Sequence, residues 1–225
     1  MPGQAMEAWG RRLRVATLAG LLFVAALGSL GDGLVEGQLA HDRPVAPLEG
    51  GSEVLQTFVV TAEGLTALDL LLANYGRASE GQLVVDLLGP LEGPGGAEGA
   101  NRLLGRWRVD AATVEDNRWR RFALAEPLEG RIGQRLALRL RRDARGRPLT
   151  AWASAGDTWP QGQVYVNGLE QSGDLTLRLH YATGRWGALR HALARAGLSL
   201  ATGLGLLAGL ALAAAWLLTR GLAGG

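Results

Sequence analysis

The sequence contains no cysteine. A disulfide framework, a thiol nucleophile and a thiolate-bound metal are thereby excluded, and the compartment has to be read from other features. Lysine is absent too: all 23 basic residues are arginine, set against 21 acidic ones. Arginine in place of lysine, beside abundant Ala, Gly and Leu, is what a GC-rich coding sequence produces without functional demand. The net charge of +2 is small and the arginines are scattered, so there is no basic stripe and nucleic acid is set aside as a partner. Histidine is scarce: His41, His180 and His191 have no metal-ligand spacing, and His180 reads as a surface position of a strand. Also missing are a G-x-S-x-G elbow and a phosphate-cradling Gly-Lys-Ser/Thr. Acidic residues pair only as neighbours such as Glu115-Asp116, which cannot face each other across a glycosidic bond. These absences predict a chain with no catalytic residues, no required cofactor and no metal site of the histidine or thiolate type.

What is present begins with two apolar segments. Residues 1–14 form a basic N-terminus, with Arg11, Arg12 and Arg14 directly before an uncharged run from Val15 to Gly31. Basic before and acidic after (Asp32, Glu36) predicts a first transmembrane helix over 15–35 with its N-terminus in the cytoplasm. A secretory signal peptide shares this pattern, but the exit SLGDGLVEG offers no clean small-x-small cleavage site, which favours an uncleaved anchor. The second run, over 196–219, is uncharged, ends at Arg220 and carries Trp216 near that edge, as a membrane span does. It is followed by a short tail, 220–225. Its preceding arginines, Arg185, Arg190 and Arg195, argue by themselves for the opposite orientation. The first helix takes precedence, and an amphipathic juxtamembrane helix over 183–195, with Trp186, Leu189 and Leu193 at helical spacing, accommodates those arginines at the headgroups. Gly205 and Gly209 form a GxxxG, a spacing for close helix packing and hence for a homo-oligomer, although a helix this rich in Gly and Ala produces such spacings by chance. The expected setting is the cytoplasmic membrane, in contact with lipid, with the residues between the helices outside.

After a linker over 36–52 the region 53–182 alternates in period two between turn-forming residues. Val54–Val60 and TALDLLLANY open the series, the latter with Leu68, Leu70 and Leu72 on one face. QLVVDLL turns Leu83, Val85 and Leu87 inward; RLLGRWRV and WRRFALA follow. Leu136, Leu138 and Leu140 mark the next strand, then Ala151–Ser154, Gln163–Val166, and Leu175–Tyr181 in strict alternation. Asn167-Gly168 and Gly173-Asp174 are turn formers. Eight or nine short strands predict a mainly β domain, a single antiparallel jelly-roll-like β-sandwich flanked by two transmembrane helices.

The stretches PLEGGSEVLQTFVV, GLTALDLLLANYGR, Asp116-Asn117 before WRRFAL, and WPQGQVYVNGLEQSGDLTLRLHY resemble the extracytoplasmic β-sandwich of some bacterial membrane proteins, including multi-spanning glycosyltransferases. The resemblance covers roughly Pro47 to Tyr181. It implies a galactose-binding-like or carbohydrate-module-like fold with no catalysis of its own. The chain lacks the many helices and the acidic catalytic loop of those enzymes, so transferase activity does not carry over.

Ligand candidates are then aromatic, because sugars stack their C–H faces on rings while their hydroxyls seek polar groups. Of Trp107, Trp119, Trp152, Trp159 and Tyr165, the loop ASAGDTWPQG suggests a rim made of Trp152, Asp157, Trp159 and Tyr165, against the alternative that each serves packing. Asp116, Asn117, Asn167 and Asp174 are oxygen-rich loop residues with calcium chemistry, against the simpler reading as turn formers. The function expected is a non-catalytic accessory or interaction module for envelope polysaccharide or a membrane glycosyltransferase. The alternative is a structural envelope protein that self-associates or packs laterally.

Overall fold

The computed structural model describes residues 33–91, 102–144, 149–159 and 161–195, with isolated positions between 197 and 216. Nearly all of both apolar runs lies outside the described residues. Among the described residues no helix is long and apolar enough to cross a membrane. Gly205 and Gly209 are helical and have open space beside their Cα atoms.

The chain divides into two compact units, 34–182 and the flanking residues. The first unit is mainly β. Its strands are β1 (Leu34–Gln38), β2 (Arg43–Pro44), β3 (Glu53–Val59), β4 (Leu65–Ala73), β5 (Gln82–Leu88), β6 (Leu103–Asp110), β7 (Arg118–Leu128), β8 (Arg135–Arg142), β9 (Thr150–Ala153), β10 (Gln163–Val166), β11 (Leu169–Gln171) and β12 (Leu177–Tyr181). In the other unit, helix α1 spans Arg185–Arg195.

All strand pairs are antiparallel. They form two sheets. In sheet 1, β4 has β7 along one side; on its other side β12 pairs with its first part and β9 with its end, and β1 and β2 complete that edge. Sheet 2 runs β11-β10-β3-β8-β5-β6. The leucines that alternate in the sequence face one another between the sheets: Leu68, Leu70 and Leu72 of β4 and Leu177 and Leu179 of β12 share one cluster with Leu83 and Leu87 of β5 and Leu136, Leu138 and Leu140 of β8. Fully burying each such side chain contributes about 2 kcal/mol, so the two inner faces together decide the fold.

The nine segments read as strands, for an expected eight or nine, are all present, and three more appear. The span read as the end of a helix and a linker instead supplies β1 and β2: Leu34–Gln38 pairs with Leu177–Tyr181, and Arg43–Pro44 with Trp152–Ala153. The apolar run before Leu34 hides the short strand that follows it. Gly37 is required there, because a Cβ would collide with the Leu177 carbonyl. The third, β11, follows the two-residue Asn167-Gly168 turn, whose φ values of 50° and 78° suit the hairpin turn that demands two positive φ angles. All three residues of β11 are exposed, so no apolar alternation announces it.

Candidate functional site

Sequence reasoning grouped Trp152, Asp157, Trp159 and Tyr165 on one rim; the structure separates them. Trp159 is only 7% exposed and packs in the core, tilted against Phe58 with ring centroids 6.4 Å apart. Tyr165 lies opposite Leu55 on the outer face of sheet 2 and packs against the small cluster of Leu55, Leu88, Leu91 and Ala137. Asp157 lines a shallow groove of about 380 Å³ with Gln163, Glu170 and Ser172. Trp152 belongs to the outer face of sheet 1. Loop proximity in sequence misled because β9 delivers Trp152 outward while the following loop turns Trp159 inward.

Two carboxylate hydrogen bonds explain that inward turn. Asp174, buried between the sheets, accepts from the backbone N–H groups of Thr158 (3.0 Å) and Trp159 (2.9 Å) and from Gln56 Nε2 (3.0 Å). Burial pushes its pKa up, against the hydrogen bonds that stabilise the anion. The remaining calcium candidates have similar employment. Asp116 Oδ1 accepts from the N–H groups of Asn74 and Tyr75 at 2.9 and 2.8 Å. Asn167 Oδ1 accepts from Glu53 N at 2.8 Å, and Asn117 sits at φ 55° beside Asp116. These four residues occupy three different turns, and their oxygens cap backbone or side-chain donors. Among the described residues no group of three His, Asp or Glu side chains is arranged to hold a metal ion.

The outer face of sheet 1 holds what the sequence did not group. Cross-strand register places Leu71 of β4 opposite Trp119 of β7, and Asp69 opposite both Arg121 of β7 and Arg178 of β12. Directly opposed residues share a face about 5 Å apart. Trp152 reaches this face where β9 takes over the edge of β4, since its neighbour Ala151 opposes the inward Leu72. Leu39 and His41, from the β1–β2 connection, close the remaining side. The result is an open groove of about 410 Å³.

Its side chains are fixed by local contacts. Trp152 Nε1 donates to Asn117 Oδ1 at 2.7 Å, and the His41 ring meets the Trp152 ring edge-on at 6.0 Å. The Arg178 guanidinium lies over the Trp119 ring, 3.9 Å from its centroid, a cation–π contact. Beside the groove, Asp69 takes a bidentate pair from Arg121 (Nε–Oδ1 2.8 Å, Nη2–Oδ2 3.1 Å) and a third contact from His180 Nε2 at 2.7 Å. The proton of His180 belongs on Nε2, because a lone pair there would face the carboxylate. Arg121 Nη2, 3.1 Å from Nε2, therefore serves the carboxylate. Burial works to raise the Asp69 pKa, but the bonds from Arg121 and His180 outweigh it and hold the group below the usual carboxylate range.

Sheet 2 carries a second buried acid on its outer face. Asp86 has no exposed side-chain surface and receives Arg106 (2.6 and 3.1 Å), Arg139 (2.8 Å) and Arg141 (2.9 Å). Burial opposes ionisation here too, yet these contacts depress its pKa to about 2. Trp107 is structural: it stands at the sandwich rim, edge-on to Phe122, and donates to the Ala123 carbonyl at 2.7 Å.

No family model matches this chain, and no curated protein does.

Proposed function

We propose that the protein is a non-catalytic module that binds saccharide through the outer-face groove of sheet 1. A jelly-roll-like sandwich is held at the outer surface of the cytoplasmic membrane by helices over 15–35 and 196–219. In this reading it serves envelope polysaccharide, or a membrane glycosyltransferase that handles it. The observation carrying the proposal is the pairing of Trp119 and Trp152 on one open groove with Arg178, His41 and Asn117 between and beside them. Partly exposed rings with polar neighbours match the alternating apolar and hydroxylated surfaces of a sugar. The two apolar segments and the resemblance noted in the sequence support the setting.

The test is a glycan array and calorimetric titration with the full chain in detergent. Trp152→Ala is expected to lower saccharide affinity at least tenfold while shifting thermal stability little. Equal binding by the wild type, Trp152→Ala and Trp119→Ala would remove the groove from consideration. Lateral self-association is the second reading, favoured by one observation: β11 ends its sheet with Leu169 69% exposed, an edge open to strand addition. Concentration-dependent dimers that Leu169→Lys abolishes would support it.

A further inference from the structure

We infer that the groove on sheet 1 selects an acidic saccharide, a hexuronate whose carboxylate docks on Arg178. This rests on the saccharide reading above and adds the class of sugar.

The argument starts from charge. The groove is lined by Leu39, His41, Leu71, Asn117, Trp119 and Trp152 together with Arg178, with no carboxylate among the described lining residues. Asp69, the acid directly opposite Arg178 across the strand pair, is already occupied: Arg121 holds both of its oxygens and His180 holds one of them. Among the described residues Arg178 therefore has the Trp119 ring and no carboxylate partner. It is half-buried and cannot simply retreat into bulk water. A desolvated cation with no counter-ion raises the affinity of the groove for an anion.

Hydrogen-bond inventory points the same way. Sugar hydroxyls are bound well where a site offers acceptors as well as donors. Here Asn117 Oδ1 already accepts from Trp152 Nε1, and His41 Nδ1 donates to the Leu39 carbonyl at 2.9 Å, which leaves Nε2 as the acceptor of the neutral ring. The guanidinium has only donors. The guanidinium is the strongest unspent donor of the groove, and no carboxylate among the described lining residues receives it. A carboxylate has acceptors only.

Geometry narrows the anion. The Trp119 ring holds the guanidinium at the groove, with Cζ 3.9 Å from the ring centroid, and a guanidinium is a planar fork that pairs with a planar carboxylate in bidentate fashion. Trp152 then stands beside it to carry the apolar face of the same or the adjoining ring. A sugar phosphate shares the charge but not the planarity, so it serves as a comparison ligand.

The experiment titrates the full chain in detergent with oligogalacturonate, with the matching carboxyl-reduced neutral oligomer, and with a phosphorylated sugar. Wild type is expected to bind the uronate about tenfold more tightly than the neutral oligomer, the value of one charge-assisted hydrogen-bonded contact. Arg178→Gln should bring the uronate down to the level of the neutral oligomer, erasing the tenfold ratio between the two. Arg178→Lys, which keeps the charge and loses the fork, should fall between. Equal binding of uronate and neutral oligomer, both abolished by Trp152→Ala, would overturn the acidic preference and leave the saccharide groove standing. Tighter binding of the phosphorylated sugar than of the uronate would also overturn it. Failure of the folded wild type to bind any of the three would overturn both readings.

Discussion

The outer faces of the two sheets use the same parts to different ends. Each has an aspartate in the middle of a largely apolar strand, Asp69 in β4 and Asp86 in β5, gripped by cationic or imidazole side chains from neighbouring strands. On sheet 2 all the grip is internal: Arg106, Arg139 and Arg141 converge on one buried carboxylate. On sheet 1 the carboxylate is taken by Arg121 and His180, and the third cation, Arg178, is left on a tryptophan beside a groove. An arginine cluster is thus no sign of a site by itself. What matters is whether its charge is spent inside the fold.

Perturbing each face separates these roles. The largest effect is expected from Asp86→Ala, which strands three arginines around an apolar hole. The loss should be about 2–3 kcal/mol in urea denaturation, less than for a fully enclosed ion pair because the arginines reach solvent. Saccharide binding should not change. Next comes acid. Asp86 is depressed from the usual carboxylate value to about 2, so it contributes stability that is complete above pH 4 and is lost as the pH falls towards 2. Asp174 has the opposite sign: its raised pKa means that the folded state takes up its proton first, which favours folding as the pH falls. Urea midpoints at pH 5 and pH 2.5 should therefore drop in the wild type, and drop less in Asp86→Ala.

Asp69→Asn is milder. The carboxylate is buried but Arg121 is 59% exposed at its side chain, so about 1 kcal/mol of stability should go. The same change removes a negative charge opposite Arg178. Uronate affinity should rise two- to threefold as a rough Coulomb estimate, whereas no charge change on sheet 2 should do so. A fall in affinity, measured by calorimetry at low salt, would contradict the assignment of Arg178 as the docking cation.

The alternating leucines made the sandwich legible. Leu68, Leu70 and Leu72, or Leu136, Leu138 and Leu140, can serve only one face of a sheet, and that face is the core. Short, polar β11 and the β1 strand hidden behind an apolar run lacked such a signal. The groove was half legible. Trp119 and Trp152 were among the five aromatic ligand candidates, but their meeting depends on β7 and β9 both bordering β4, and strand order is not encoded in local alternation. The same holds for Asp69 with Arg121: an acid inside LDLLL is a visible anomaly, while its partner 52 residues away in sequence is fixed only by register. Trp159 was misplaced because the clamp on its backbone N–H comes from Asp174, beyond the next hairpin.

The pairing of β1 with β12 sets Leu34 directly opposite Tyr181, so the chain enters and leaves the sandwich through neighbouring strands at one end of one edge. In mechanical terms the β1–β12 pair is a zipper whose two pull-tabs are the domain's own ends. A force drawing those ends apart would open the β1–β12 ladder one hydrogen-bonded pair at a time rather than shear it whole. The first residues to part would be Leu34 and Tyr181, followed by Val35 and His180, the residue that grips Asp69. Tension at the ends would thus loosen the core at Tyr181 first and the flank of the groove at His180 one pair later.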